Sequence, residues 1–340
     1  MKTAYFWLTP QGKQLAEQLQ AHFGGTVEPK ADFAEAVRRA FADCDALVFV
    51  MATGIVVRTI APLVQSKASD PAVLVLDQRG KHVISLLSGH LGGANAMAEQ
   101  AAAYLGGEAV ITTATDVEHV PAFDLFAKEN HLTIENLEEL KYISGALVAG
   151  EPVSLCTAFP VEKNAFPPET VQIQSFSETP RHACAVAIAD TTESVAAPHV
   201  LYLRPKSLVL GVGCKKQIPP AHLEQCFRTF LQEHHLSLSA VEKLATIGLK
   251  REEPAILALC EKYRLPLEIV ADADIQACAY PFAASAFVQQ VTGLPSVSEA
   301  SAYLASGCGE VLTGKVKYSG VTFAACRKTI EPLHWKERGQ

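Results

Sequence analysis

Runs of apolar residues alternate with amphipathic segments through the first third of the chain, and this alternation predicts buried strands separated by helices. The predicted strands cover residues 4–8, Ala46–Val50, Ala72–Leu76, 81–87 and 109–111. The longest predicted helix covers Ala94–Leu105, where Gly106 and Gly107 follow as a C-cap. Alternating strands and helices favour a parallel sheet covered by helices, so we predict an N-terminal α/β domain at residues 1–120.

The pattern changes after residue 120. Two helical segments and several short strands separated by prolines predict a small α+β middle region at residues 121–205, for which we expect a structural or lid-like role. A new apolar strand at residues 207–212 is followed by a predicted helix at 220–234 and further strands. We therefore predict a second, three-layer α/β domain at residues 206–330.

Composition and charge narrow the class of protein. The chain of 340 residues is 49% hydrophobic and 19% charged, which is typical of a folded enzyme. Its net charge of −7 argues against nucleic acid as a partner. No apolar run approaches the roughly 20 residues that span a bilayer, so we expect no membrane partner. The nine scattered cysteines favour reduced thiols in a cytoplasmic location, and the sequence has no metal-ligand spacing.

Three predicted strand-to-helix junctions carry small and polar residues, at positions 51–58, 86–95 and 111–116. The carboxyl ends of parallel strands form the ligand crevice of α/β sheets, so we expect these junctions to converge. A crevice lined by hydroxyls, glycines and a histidine beside helix N-termini suits an acidic ligand.

Two interpretations stay open for most of these residues. Gly89, Gly92 and Gly93 either cradle an anion with their backbone N–H groups or only permit a tight turn. His90 is either a general acid or base or a surface residue. The hydroxyls before Asp116 either contact a ligand or form a local turn and cap.

Basic residues and one cysteine are further candidates. Arg58 and Lys67 follow the first junction and are either solvated surface charges or partners for a substrate carboxylate. In the last domain, Cys214 lies beside Lys215 and is either a nucleophile with a lowered pKa or a residue buried at a turn.

Several of these runs resemble the CbiG family, the cobalt-precorrin-5A hydrolases of anaerobic cobalamin biosynthesis. The N-terminal resemblance lies in residues 52–58 (ATGIVVR), 60–63 (IAPL), 67–73 (KASDPAV), 86–95 (LLSGHLGGAN) and 111–116 (ITTATD). The C-terminal domain resembles CobE of the aerobic route in residues 211–214 (GVGC), 245–250 (ATIGLK), 253–254 (EP) and 291–300 (VTGLPSVSEA).

The resemblance implies a cobalt-corrinoid substrate with many carboxylate groups, whose δ-lactone is opened by water with loss of acetaldehyde to give cobalt-precorrin-5B. Cobalt belongs to the substrate, so no cofactor is expected. We predict that His90 or Asp116 acts as the base, with the Gly92 and Gly93 amides as oxyanion donors. The predicted substrate-binding residues are Thr53, Gly54, Arg58, Lys67, Ser88, Gly89, Gly92, Gly93, Asn95, Thr112, Thr113, Thr115, Gly213, Cys214, Lys215 and Lys250.

Two other functional classes compete with a hydrolase. A non-catalytic corrinoid carrier would use the same glycine and basic elements to hold and hand on an intermediate. A nucleotide-dependent enzyme is disfavoured, because the sequence has neither a Walker loop nor a dinucleotide fingerprint. The sequence leaves open whether the chain forms a homodimer or contacts other enzymes of the pathway.

Overall fold

The structure is a computed structural model, and it describes residues 1–66, 69–118, 120–162, 170–172, 176, 180, 182–282, 289–290 and 292–335. The chain divides into two compact units, Met1–Leu125 and Phe126–Gln340. Within the described ranges, none of the helices has the length and apolar character needed to cross a membrane.

The first unit is built on a six-stranded sheet with the order β2-β1-β3-β4-β5-β6. Its strands are β1 (Thr3–Trp7), β2 (Thr26–Val27), β3 (Ala46–Val50), β4 (Ala72–Leu76), β5 (His82–Leu87) and β6 (Glu108–Val110). Its helices are α1 (Pro10–Phe23), α2 (Phe33–Asp43), α3 (Thr53–Ile60), α4 (Ala94–Leu105), α5 (Ala114–Val117) and α6 (Phe123–Glu129), the last of which crosses the unit boundary.

Strand direction in this sheet differs from the prediction. The β2, β1, β3 and β4 strands are mutually parallel, but β5 pairs antiparallel with β4, and β6 is parallel to β5. In this register Leu76 pairs with Val83, and Val73 pairs with Leu87. The carboxyl ends of β5 and β6 therefore lie at one edge of the sheet, and those of β3 and β4 lie at the opposite edge.

The β1, β3 and β4 strands of the first sheet are buried on both faces, which explains their nearly continuous apolar sequences. Tyr5 and Val48 face the core formed with α1 and α4. Phe6 and Phe49 point to the other face, where they stack with their ring centroids 4.9 Å apart in the core formed with α2 and α3. The alternation along each strand follows from the two-residue period of β structure.

The second unit contains two five-stranded sheets. The first has the order β7-β11-β10-β8-β9, in which only the β7–β11 pair is antiparallel. Its elements are β7 (Leu132–Ile134), α7 (Leu140–Val148), β8 (Val153–Thr157), β9 (Thr170–Gln172), β10 (Cys184–Ile188) and β11 (His199–Pro205).

The last sheet has the order β14-β13-β12-β16-β15, with β12, β13 and β14 parallel and the hairpin β15–β16 antiparallel to them. Its strands are β12 (Leu208–Cys214), β13 (Val241–Ile247), β14 (Leu267–Val270), β15 (Glu310–Tyr318) and β16 (Val321–Arg327). Its helices are α8 (Pro220–Glu233), α9 (Pro254–Tyr263), α10 (Asp272–Ala277) and α11 (Ser298–Ala305).

Helices cover both faces of this last sheet. Phe227 of α8 and Ile256 of α9 pack on one face, and Ile275 of α10 and Ala300 of α11 pack on the other. The α/β class and the three-layer C-terminal arrangement predicted from the sequence are confirmed. The three-domain division stays a prediction.

A buried ion pair joins the two sheets of the second unit. Asp190, which follows β10, is fully buried and accepts hydrogen bonds from Nε and Nη2 of Arg327 at 2.6 and 2.7 Å. Ser207 Oγ donates to the same carboxylate at 2.8 Å. These three donors satisfy the buried Asp190 carboxylate. Since Arg327 is the last residue of β16, its two charge-assisted hydrogen bonds hold that end of β16 against the middle sheet.

Candidate active site

A tight turn connects β5 to α4 and places His90 beside the start of that helix. Ser88 and Gly93 have positive φ angles of 56° and 88°. The Ala94 and Asn95 amides donate to the Ser88 and Gly89 carbonyls at 3.1 and 3.0 Å. These hydrogen bonds close the turn, and glycine adopts the left-handed conformation at position 93 without strain.

Two of the glycines are required by close packing. A Cβ on Gly89 would lie 2.6 Å from Oδ1 of Asn95, and a Cβ on Gly92 would lie 2.5 Å from Cβ of Ser88. The interpretation of these glycines as a tight turn therefore holds whether or not an anion binds here.

The predicted oxyanion role of Gly93 is wrong for this structure. The Gly93 amide donates to the His90 carbonyl at 3.0 Å, so the turn itself uses this N–H group. The Gly92 amide therefore stays the predicted oxyanion donor.

The imidazole of His90 lies between two carboxylates. Its Nε2 atom is 2.7 Å from Oδ2 of Asp116, which is in α5 after β6. Its Nδ1 atom is 3.1 and 3.2 Å from the two carboxylate oxygens of Asp124, at the start of α6. The sequence prediction thus placed His90 and Asp116 together correctly, although it did not include Asp124.

Asn95 links His90 and Asp116 to β5 and to the segment after β6. We call the set of Ser85, His90, Asn95, Thr113, Asp116 and Asp124 the His90 group. Its Nδ2 atom donates to Oδ2 of Asp116 at 2.7 Å and to Oγ1 of Thr113 at 3.2 Å. Its Oδ1 atom accepts from Ser85 Oγ at 2.6 Å. Since Asn95 is 4% exposed, its amide is held by these partners, and it fixes the carboxylate that contacts His90.

The side chains of His90, Asp116 and Asp124 are largely buried, so the charges that they carry need partners within the protein. The His90 side chain is 9% exposed, and those of Asp116 and Asp124 are each 11% exposed. Charges so far from water must be paired, and the alternation of carboxylate, imidazole and carboxylate does this. Thr115 Oγ1 lies 3.4 Å from Nε2 of His90 and adds a hydroxyl to the same side of the ring. An imidazole held by carboxylates can accept a proton and deliver it to a reacting oxygen.

The first predicted junction, at residues 51–58, lies elsewhere. Thr53 and Gly54 begin α3 after β3, and Arg58 lies on the exposed side of this helix with its guanidinium near Gly54. Because β5 is antiparallel to β4, this junction is at the sheet edge opposite His90, and the expectation that Thr53, His90 and Thr113 line one concavity is wrong.

Ser88, Thr112 and Lys67 are the remaining predicted binding residues of the first unit. Ser88 stays with the His90 group, and its Oγ donates to the Asp70 carbonyl at 2.9 Å. Thr112 is exposed at the end of β6 on the same edge. Lys67 lies outside the described residues.

The predicted residues of the C-terminal sheet lie at the carboxyl ends of β12 and β13. Lys250 pairs with the buried Glu253 at 3.2 Å, and Lys215 is exposed. Burial raises the pKa of the Cys214 thiol to about 11, and the nearby charge of Lys250 lowers it too little to compensate. The lowered pKa that a nucleophile needs is therefore absent, and the structure places Cys214 half-buried as the last residue of β12.

Three family models match consecutive parts of the chain. "Cobalamin synthesis G N-terminal" matches residues 35–116, "Cobalamin biosynthesis central region" matches 121–205, and "Cobalamin synthesis G C-terminus" matches 208–326. A cobalt-precorrin-5A hydrolase from Salmonella typhimurium is 34% identical over 94% of this chain and 95% of its own length. The chain belongs to the CbiG family.

Other relatives agree with this membership. A cobalt-precorrin-5A hydrolase from Priestia megaterium is 33% identical over 82% of this chain and 77% of its own length. Protein CobE from a Sinorhizobium species is 29% identical over 31% of this chain and 69% of its own length. As a member of the CbiG family, the chain is an enzyme, a hydrolase of cobalamin biosynthesis.

Asp124 and Ser85 are the members of the His90 group that sequence reasoning missed. Ser85 lies inside β5, where a serine in a strand carries no distinct signal. Asp124 lies 34 residues after His90 in the first turn of α6, where an acidic residue is ordinarily explained by the helix dipole. The contact of Asp124 with the ring is a tertiary contact that no local sequence pattern indicates.

Proposed function

We propose that this chain hydrolyses the δ-lactone of cobalt-precorrin-5A and releases acetaldehyde, giving cobalt-precorrin-5B. The observation that carries the proposal is the nearly buried contact of 2.7 Å between His90 Nε2 and Asp116 Oδ2. The hydrolases from Salmonella typhimurium and Priestia megaterium, which match most of the chain, support the same reaction.

Lactone opening needs a base for water, a stabiliser for the tetrahedral oxyanion and a proton for the leaving oxygen. In our proposal the His90–Asp116 pair removes a proton from the attacking water and later returns it to the leaving oxygen. The Gly92 amide would stabilise the oxyanion. Expulsion of the former meso carbon with its methyl group as acetaldehyde completes the reaction.

We propose that the lactone binds at the edge where β5 and β6 end. The residues offered for this contact are Ser88, Gly89, Gly92, Asn95, Thr112, Thr113 and Thr115. Because Thr53, Gly54 and Arg58 lie at the opposite edge, a role for them is limited to binding, through the carboxylates at the periphery of the substrate. Gly213, Lys215 and Lys250 remain proposed binding residues in the second unit.

We propose no cofactor beyond the cobalt that the substrate carries. We also propose a cytoplasmic location, because all nine cysteines are free thiols and a reducing compartment keeps thiols in this state.

Acetaldehyde release tests this function directly. The purified full chain is mixed with cobalt-precorrin-5A, and acetaldehyde is measured by its reduction with NADH and alcohol dehydrogenase. We expect one acetaldehyde per substrate over many turnovers. A chain that binds the substrate and returns it unchanged would instead be a corrinoid carrier, and the proposal would fail.

A further inference from the structure

Asp124 holds the side of the His90 ring that faces away from Asp116. Both of its carboxylate oxygens lie within 3.2 Å of Nδ1, and its side chain is as buried as that of Asp116. The Leu125 amide donates to Oδ1 of Asp124 at 3.0 Å, which fixes the carboxylate in the first turn of α6. The ring is therefore held at both nitrogens by groups from different elements.

The contacts at the two ring nitrogens set the number of protons that Asp116, His90 and Asp124 share. An ionised carboxylate only accepts hydrogen bonds, and a neutral imidazole has one N–H group and one acceptor nitrogen. Two contacts at hydrogen-bond distance, one at each ring nitrogen, therefore need two protons shared among Asp116, His90 and Asp124. A single shared proton would leave a nitrogen lone pair facing a carboxylate in a buried site.

We propose that Asp124 is the positioning residue for His90. Its carboxylate accepts the Nδ1 proton, keeps Nε2 directed at Asp116, and stabilises the imidazolium form of the ring. This inference rests on the proposed function, since it assigns Asp124 to the lactone-opening step. During that step the three residues take one proton from the attacking water and return it to the leaving oxygen, so they begin and end with two protons.

The arrangement follows the logic of hydrolytic triads, in which a buried carboxylate fixes the tautomer of a histidine through Nδ1. Asp124 stands in the position of that orienting carboxylate, and Nε2 on the other side of the ring faces Asp116 at 2.7 Å. An Asp124→Asn variant separates this role from helix capping, because an amide oxygen still accepts the Leu125 N–H group while the negative charge is lost.

The first arm of the test needs no substrate. Two-bond ¹H–¹⁵N spectra of the full chain report which nitrogen of His90 carries the proton. We expect Nδ1 to be protonated in the wild-type chain. In Asp124→Asn, the amide can turn to donate to Nδ1, and we expect a shift to the neutral tautomer protonated at Nε2.

The second arm measures turnover. Asp124→Asn should lower kcat for acetaldehyde release by about 10²–10⁴-fold, while KM stays within about threefold. Asp124→Glu, which keeps a carboxylate, should recover part of the loss. The matched control is Glu139→Gln, which removes a carboxylate 3.0 Å from Nδ1 of His199 in the second unit and should change neither the His90 signals nor kcat.

Each outcome decides the proposal. Unchanged His90 signals in Asp124→Asn would overturn it, as would a changed tautomer combined with wild-type kcat. If the wild-type chain releases no acetaldehyde, the proposed function fails, whereas the spectra still decide whether Asp124 sets the protonation of His90.

Discussion

The Nε2 atom of His90 lies 2.7 Å from Oδ2 of Asp116, at the edge of the first sheet where β5 and β6 end side by side. The two residues are 26 positions apart, and α4 with β6 brings them together. Asn95, from the first turn of α4, donates to the same Oδ2 atom and so ties the helix to the pair. The geometry of the candidate site therefore depends on how α4 is seated on the sheet.

Replacement of His90 should remove most of the activity. His90→Ala is expected to lower kcat by about 10²–10⁴-fold, the usual contribution of a general acid or base. His90→Asn should not restore the rate, since an amide hydrogen-bonds but does not take up a proton. Steady-state acetaldehyde release measures both variants, with His199→Ala as the control outside the site. Wild-type turnover by His90→Ala would show that the residue only packs or caps the turn.

The β5–α4 turn should tolerate no side chain at Gly92. Gly92→Ala would place a Cβ 2.5 Å from the Ser88 Cβ and 2.8 Å from its carbonyl oxygen, so we expect destabilisation of about 1–3 kcal/mol. The control is Gly145→Ala in α7, where an added Cβ meets no atom within 4 Å and should stabilise the helix by about 0.5–1 kcal/mol. Urea unfolding measures both effects. Equal stability of the two variants would contradict the packing described for the turn.

Cys214 should react slowly with alkylating reagents. Burial raises the pKa of its thiol to about 11, so at pH 8 it is protonated and a poor nucleophile. Mass spectrometry after brief treatment with iodoacetamide should show Cys308, which is exposed, modified well before Cys214. Preferential modification of Cys214 at pH 8 would contradict this and would restore its interpretation as a nucleophile.

The same raised pKa has a consequence for stability. In the unfolded chain a cysteine thiol ionises near pH 8.5, whereas folded Cys214 keeps its proton to about pH 11. Between these values the unfolded state binds fewer protons, so the free energy of unfolding falls as the pH rises. Cys214→Ala should make this fall less steep in unfolding experiments between pH 8.5 and 11, and an unchanged slope would contradict the assignment.

Loss of Asp190 should destabilise the second unit. Asp190→Ala leaves the Arg327 guanidinium without its bidentate partner, and we expect a cost of about 3 kcal/mol, at the low end for broken buried pairs because Arg327 also contacts Glu310. The control is Glu35→Ala, which breaks an exposed pair with Arg38 and should leave the urea midpoint nearly unchanged. Similar midpoints for both variants would show that the Asp190 contact contributes little.

Much of the fold could be predicted because local signals agree with it. Helix α4 begins and ends where it was predicted, since Gly93 precedes it and Gly106 closes it in a left-handed conformation. The direction of β5 was predicted wrongly although the sequence contains the relevant signal. Five residues separate Leu76 from His82, and a parallel connection needs a dozen or more.

The candidate site was harder to predict than the fold. His90 and Asp116 were predicted as catalytic because each follows an apolar run that was predicted to be a strand, and the paired strands β5 and β6 do bring the two residues together. Asp124 lies 34 residues after His90 in α6, and no local sequence pattern specifies a contact between residues so far apart. The state of Cys214 was also beyond the sequence, because neighbouring lysines favour a low pKa, whereas burial by the folded chain outweighs them.

In our proposal, lactone opening takes place at the β5–β6 edge of the first sheet and not at the β3–β4 edge. Steady-state kinetics of acetaldehyde release by two variants, Asp116→Asn and Arg58→Ala, test it most directly. We expect Asp116→Asn to lower kcat by about 10²–10⁴-fold, whereas Arg58→Ala should keep the wild-type kcat and change KM alone. A wild-type kcat for Asp116→Asn together with a large fall in kcat for Arg58→Ala would contradict it.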